Sequence, residues 1–194
     1  PVLAACEHTG ASGRAFIESV LVAYEAYVRT FEAARSRRFD AGTYVTLGAA
    51  LGAAKAYGLQ REAIAHCIAL AVVPNSALRV GRSGELSMWK TAAAGHAGAA
   101  GVSAALLARA GCRGPRDVLT AENGYFDAYT GIAAAGRETV DGLGDHYVMR
   151  EVAYKRYPAG GQNQAPLYAL LELMKQEHEA IHLRPNYDRL SALL

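Results

Sequence analysis

The sequence predicts a mainly α fold, with a helical bundle over residues 1–140 followed by the incomplete start of a smaller α/β (α+β) domain over 141–194. Apolar residues recur at helical spacing through the first part, short connections separate the helical segments, and the pattern changes after Pro115 to turn and strand chemistry. Short links between helices imply antiparallel neighbours, hence a bundle.

Each element has its own warrant. Ser12 is suited to cap a helix N-terminus, and Phe16, Val20, Tyr24, Val28 and Phe31 follow at intervals of three and four, which puts them on one helix face. Thr43 to Tyr57 reads as a second helix stopped by Gly58. Gln60 to Val73 reads as a third, ended by Pro74-Asn75, and Ala93 to Ala110 as a fourth, ended by Gly111. Asn123-Gly124 and Asp141-Gly142-Leu143-Gly144 are turns. Tyr147 to Tyr154 has the β-branched and aromatic content of a strand. A last helix runs from about Gln164 to Glu177 with Leu167, Leu170, Leu171 and Met174 on its buried face. One strand and one helix cannot close a sheet, so this second unit is expected to need more chain. Pro1 at the start points to a processed chain or a fragment.

Composition narrows the classes of function. With 194 residues, 52% hydrophobic and 20% charged, the chain is globular rather than disordered. A net charge of +2 argues against nucleic-acid binding, which concentrates Lys and Arg on one face. The basic cluster Arg35, Arg37 and Arg38 reads as a solvated helix end. Cys6, Cys67 and Cys112 suit neither a disulfide framework nor a zinc knuckle, and no export signal opens the sequence, so reduced thiols in a cytoplasm are expected. Thr91 to Ala108 carries no Asp, Glu, Lys or Arg, but its Ala, Gly and His96 gain little in lipid, and a bundle helix is expected rather than a membrane span.

The run Leu78 to Lys90 gathers Arg79, Arg82, Glu85, Lys90 and the only tryptophan, Trp89, between two alanine-rich segments. Charges placed there face a ligand or an interface. Its Gly84-Glu85-Leu86-Ser87-Met88-Trp89-Lys90 resembles the MmgE/PrpD family, the 2-methylcitrate dehydratase and cis-aconitate decarboxylase group, and is most similar to the 2-methylcitrate dehydratase branch. Ala11-Ser12-Gly13-Arg14 with Tyr24-Glu25, Thr43-Tyr44-Val45 through Tyr57-Gly58-Leu59, Gly101 to Gly111 running into Gly114-Pro115, and Ala153-Tyr154-Lys155-Arg156-Tyr157-Pro158 are similar to family segments in the same order. The resemblance places residues 1 to about 185 in the middle of such an enzyme.

It implies a lyase that dehydrates a small hydroxy-polycarboxylate, needs no cofactor or metal, and forms a homodimer without nucleic-acid or membrane partners. Such chemistry needs cations to hold carboxylates and a base to take a proton from a carbon beside one of them. Lysine serves both needs, the more so when desolvation lowers its pKa. By resemblance Lys90 and Lys155 are the active-site lysines, with Lys90 expected just before a helix N-terminus that favours anions. Arg82 is a candidate carboxylate clamp, and Trp89 and Gln162 are candidate substrate contacts. His96, where an asparagine is more usual, is a candidate proton-transfer group. Two departures stand beside these. Ala41 replaces a histidine common after the position of Asp40, and Gly161-Gln162-Asn163-Gln164 replaces a Tyr-His-Ser-Gln pattern.

Two other readings compete. A non-catalytic remnant or interaction module of the same family would explain the missing segments and Ala41. His178-Glu179-Ala180-Ile181-His182 fits the H-E-x-x-H zinc pattern, but only Asp188 follows as a third ligand and Pro185 ends the helix at once, against the three protein ligands of a catalytic site.

Overall fold

The computed structural model describes residues 1–34, 38–85, 87–131, 136 and 139–181, without the side chains of 177–181. It contains two compact units, Pro1–Arg150 and Glu151–Leu194. The first unit holds helices α1 (Val2–Thr9), α2 (Gly13–Ala33), α3 (Gly42–Ala56), α4 (Arg61–Val72), α5 (Trp89–Arg109) and α6 (Tyr125–Thr130), and the second holds α7 (Gln164–Ile181).

The cap at Ser12 forms as its side chain predicts, its hydroxyl accepting the Ala15 N–H at 3.3 Å. On α2, however, the aliphatic and aromatic stripe is only half-buried, while Ser19, Glu25, Arg29 and Thr30 are the buried positions. Helix α3 is buried almost all round, as a central helix must be. Small residues let its neighbours approach. A Cβ added at Gly48 would lie 2.8 Å from the Ala23 carbonyl oxygen of α2, and one at Gly101 of α5 would lie 2.5 Å from that of Thr46. One core is therefore largely alanine, joining Ala50, Ala53 and Ala54 to Ala104, Ala105 and Ala108 around Cys67. The other is aromatic, with Tyr44, Leu47, Tyr125, Phe126 and Tyr129 fully buried. The rings of Phe39 and Tyr129 stack at 4.0 Å.

Helix α5 begins at Trp89, a turn earlier than the sequence places it, because Met88 and Ser87 already take helical turns that accept the Thr91 and Lys90 N–H groups. Its buried face is Ala97, Gly98, Gly101, Ala104, Ala105 and Ala108. By length and composition it is the one helix among the described residues apolar enough to cross a membrane.

The strand expected over 147–154 is not formed. Val148–Glu151 is a 3-10 turn, and the only β pairing among the described residues is the isolated bridge between Phe39 and Leu78. The reason lies on α2. Glu25 accepts the Met149 N–H at 2.9 Å, so a buried charge takes a backbone group that a strand would have offered to a ladder, and Arg29 donates to the carbonyls of Asp141 and His146, each at 2.7 Å, just before that segment. This fixes residues 141–150 in the first unit. Within the second unit Gln164 closes the chain on itself, accepting from the N–H groups of Arg156 and Tyr157 at 3.0 Å and donating to the Tyr157 carbonyl at 3.0 Å. Of the apolar face expected on α7, Leu167, Leu171 and Met174 are half-buried and Leu170 is exposed.

Candidate functional site

A cavity of about 360 Å³ opens in the first unit between the start of α3, the segment from Pro74 to Arg82 and the first two turns of α5. Its floor is made by a short crossing of two extended segments. The Asp40 N–H donates to the Ala77 carbonyl at 2.8 Å and the Arg79 N–H to that of Arg38 at 2.9 Å, with the Phe39–Leu78 bridge between them. Thr43 on the first turn of α3 ties in the same loop, its hydroxyl accepting the Ala77 N–H at 3.0 Å.

Asp40 is the buried charge of this cavity. One carboxylate oxygen accepts the Gly42 N–H at 2.8 Å, which starts α3, and the other takes the Nε of Arg82 in an ion pair. The Asp40 side chain is 7% exposed and that of Arg82 37%. Arg82 ends a 3-10 turn, Arg79–Arg82, and reaches into the cavity from it. Gly42 packs closely here, since a Cβ there would lie 3.3 Å from the Asp40 carboxylate and 3.4 Å from Ala77. Burial pushes the Tyr27 hydroxyl up, the Asp40 carboxylate adds to that, and Arg82 pulls it back, so the pair is felt in the layer behind the cavity.

The opposite wall comes from α5. Trp89 and His96 both line the cavity, their ring centroids 5.3 Å apart. Trp89 is half-exposed, and its indole closes against Gly81, where an added Cβ would come within 3.3 Å. Ala93 and Ala97 complete this wall between them. Behind Ser76 sits Tyr129, whose hydroxyl burial drives up and which Thr43 and Ser76 partly relieve.

The structure thus gathers Arg82, Trp89 and His96 in one cavity. Lys90 follows Trp89 in the first turn of α5 and is exposed, outside the lining residues. The N–H groups of Lys90 and Thr91 are committed to the Ser87 and Met88 carbonyls, so anion binding at this helix start rests on side chains more than on those two amides. Lys155 and Gln162 are exposed in the second unit, Gln162 within a 3-10 turn, Gly161–Asn163. The side chains of His178 and Glu179, and all of His182, lie outside the described residues.

Asp40 is the member of the site that sequence reasoning did not assign. The available signal was its place two residues before the buried Gly42, a spacing at which an Asp side chain turns back on the chain. Chemically the cavity offers one fixed carboxylate, one guanidinium held by it, one imidazole and an indole wall. A family model described as the MmgE/PrpD N-terminal domain matches residues 1–137, which contain every residue lining this cavity.

Proposed function

Because the chain belongs to the MmgE/PrpD family, we propose that it carries the substrate cavity of a lyase that removes water from a small hydroxy-polycarboxylate, 2-methylcitrate or a close analogue, by acid–base chemistry. The observation that carries this reading is the meeting of Arg82, Trp89 and His96 around one cavity with a buried carboxylate at its floor. A volume of about 360 Å³ suits a small acid rather than a polymer or a dinucleotide.

In this reading Arg82 holds a substrate carboxylate and Trp89 supplies the apolar wall that excludes water. His96 moves a proton to or from the reacting carbon or the departing hydroxyl, the role for which imidazole is best suited. Lys90, one residue beyond Trp89, adds positive charge at the mouth. Lys155 of the second unit is assigned to substrate by its resemblance to a family position, and Gln162 is a candidate substrate contact in the segment that replaces the family's Tyr-His-Ser-Gln pattern. Elimination then needs three things from the protein: fixed carboxylates, a base beside the carbon that loses its proton, and an acid for the leaving hydroxyl.

The test is turnover of a panel of 2- and 3-hydroxy tricarboxylates and dicarboxylates, followed by alkene formation, with decarboxylation and epimerisation measured in parallel. Lys90→Met and His96→Ala should each lower kcat/KM by about 10²-fold on the acid that works best, the range of an acid–base group. Lys155→Met should act in the same direction, with a larger share in KM. If no acid is turned over, or if all three variants match the parent, the site is a remnant whose chemistry went with the histidine replaced by Ala41.

A further inference from the structure

We propose that Asp40 is a positioning residue, which holds Arg82 by Nε so that its two terminal nitrogens are presented together to a substrate carboxylate; this rests on the polycarboxylate reading above. Three observations support it. Asp40 cannot itself move toward a ligand, because its own N–H is bonded to Ala77, one carboxylate oxygen is bonded to the Gly42 N–H, and the side chain is 7% exposed. Arg82 is the movable partner, more than a third exposed and standing at the end of a short 3-10 turn. The ion pair is made through Nε, and among the described residues the terminal nitrogens of Arg82 have no other acceptor.

A guanidinium carries five donors in a rigid plane, and a pair of them matches the two oxygens of a carboxylate. With Nε engaged by Asp40, the plane is fixed and the terminal pair can take a second carboxylate end-on. Arg82 then bridges two carboxylates, one belonging to the protein and one to the ligand. An untethered Arg82 would carry the same charge but would have to give up its rotamer freedom on binding. A carboxylate serving only to cancel charge would have the opposite effect, since removing it would leave the cavity more cationic and bind acids more tightly. Positioning and cancellation therefore predict changes of opposite sign.

The substitution that separates tether from cap is Asp40→Asn. An asparagine can keep its oxygen on the Gly42 N–H, preserving the start of α3, and then turns an amide NH₂ toward Arg82, which has no acceptor there. The probe is propane-1,2,3-tricarboxylate, which lacks the hydroxyl a dehydratase expels, with its dissociation constant measured by calorimetry on the whole protein. Asp40→Asn and Arg82→Ala should each weaken binding about 10-fold, the scale of one charge-assisted hydrogen-bond pair. In the Arg82→Ala background Asp40→Asn should have no further effect, because the residue acts through Arg82. Tighter or unchanged binding by a folded Asp40→Asn protein overturns the inference, as does a loss that persists without Arg82. If Asp40→Asn does not fold, unchanged binding by Arg82→Ala still overturns it. Turnover of hydroxy acids with no such pattern would leave the lyase reading standing and remove this inference alone. Failure of the unmutated protein to bind the tricarboxylate overturns this inference, while the turnover panel above decides the lyase reading.

Discussion

On α2 the Arg29 Nε donates to the Glu25 carboxylate one turn earlier at 2.9 Å, and both side chains are more than nine-tenths buried. Neither charge stops at the other. Arg29 goes on to the carbonyls of Thr139, Asp141 and His146, and Glu25 to the Met149 N–H, so one ion pair holds the segment that leads out of the bundle. Replacing Arg29 leaves a buried carboxylate without its cation and those carbonyls without a donor. Arg29→Met should cost about 3–5 kcal/mol of stability, read from denaturant unfolding, and should make residues 139–149 the first site of proteolysis. A loss below about 1 kcal/mol would show that the pair stabilises nothing in net.

The same pair fixes the direction of a pH effect. Burial pushes the Glu25 carboxyl up, but the Met149 and Val148 N–H groups and the Arg29 guanidinium together outweigh it, leaving it below its ordinary value of 4.5. A carboxyl whose pKa is lowered by folding contributes stability that is complete above the unfolded pKa and is lost as pH falls through the folded one. Unfolding free energy should therefore be level from neutral pH to about 5 and fall below that. Glu25→Gln should start lower and show a shallower acid slope. Equal slopes for the two proteins would remove Glu25 from the account of acid unfolding.

The pair also explains what could and could not be read from the sequence. The helices that became α2, α3, α4, α5 and α7 announced themselves through periodicity, the cap at Ser12 and the stops at Gly58, Pro74 and Gly111. The β-branched and aromatic residues of 147–154 describe only a preference for a strand, whereas Glu25, more than a hundred positions earlier, takes the Met149 N–H. Helices α1 and α6 are eight and six residues long, too short to show a period. In the candidate site, Arg82, Trp89 and His96 stood out because they share one unusual run and the helix after it. Asp40 did not, because its partner Arg82 is reached only when the start of α3 and the segment after α4 cross.

The aromatic core holds a polar atom with nothing to do. The Tyr125 hydroxyl is buried and has no hydrogen-bond partner among the described residues, with its ring stacked 4.4 Å from that of Tyr129. An unsatisfied buried hydroxyl costs more than the bond it fails to make. Tyr125→Phe should therefore leave thermal stability unchanged or raise it by up to about 1 kcal/mol, in contrast to the loss usual when a bonded tyrosine is truncated. A loss of that size instead would reveal an enclosed water serving the hydroxyl.

Trp89 gives the cavity its own reporter. It is the only tryptophan in the chain, half-exposed, seated between Gly81 and the His96 ring on the cavity wall. Any ligand that enters must exclude water from one face of the indole, and a less polar surrounding shifts its emission to shorter wavelength. Titration with propane-1,2,3-tricarboxylate should therefore give a saturable blue shift with the same dissociation constant as calorimetry. Trp89→Phe should abolish the signal and weaken binding about 3- to 30-fold, the cost of trading the larger ring for a smaller one in an apolar wall. Gly81→Ala crowds the same edge of the indole, where an added Cβ would stand 3.3 Å from the ring, and should shift the emission of the free protein before any ligand is added. Calorimetric binding with no change in Trp89 emission would put the acid elsewhere on the protein, and the cavity would lose its claim to be the substrate site.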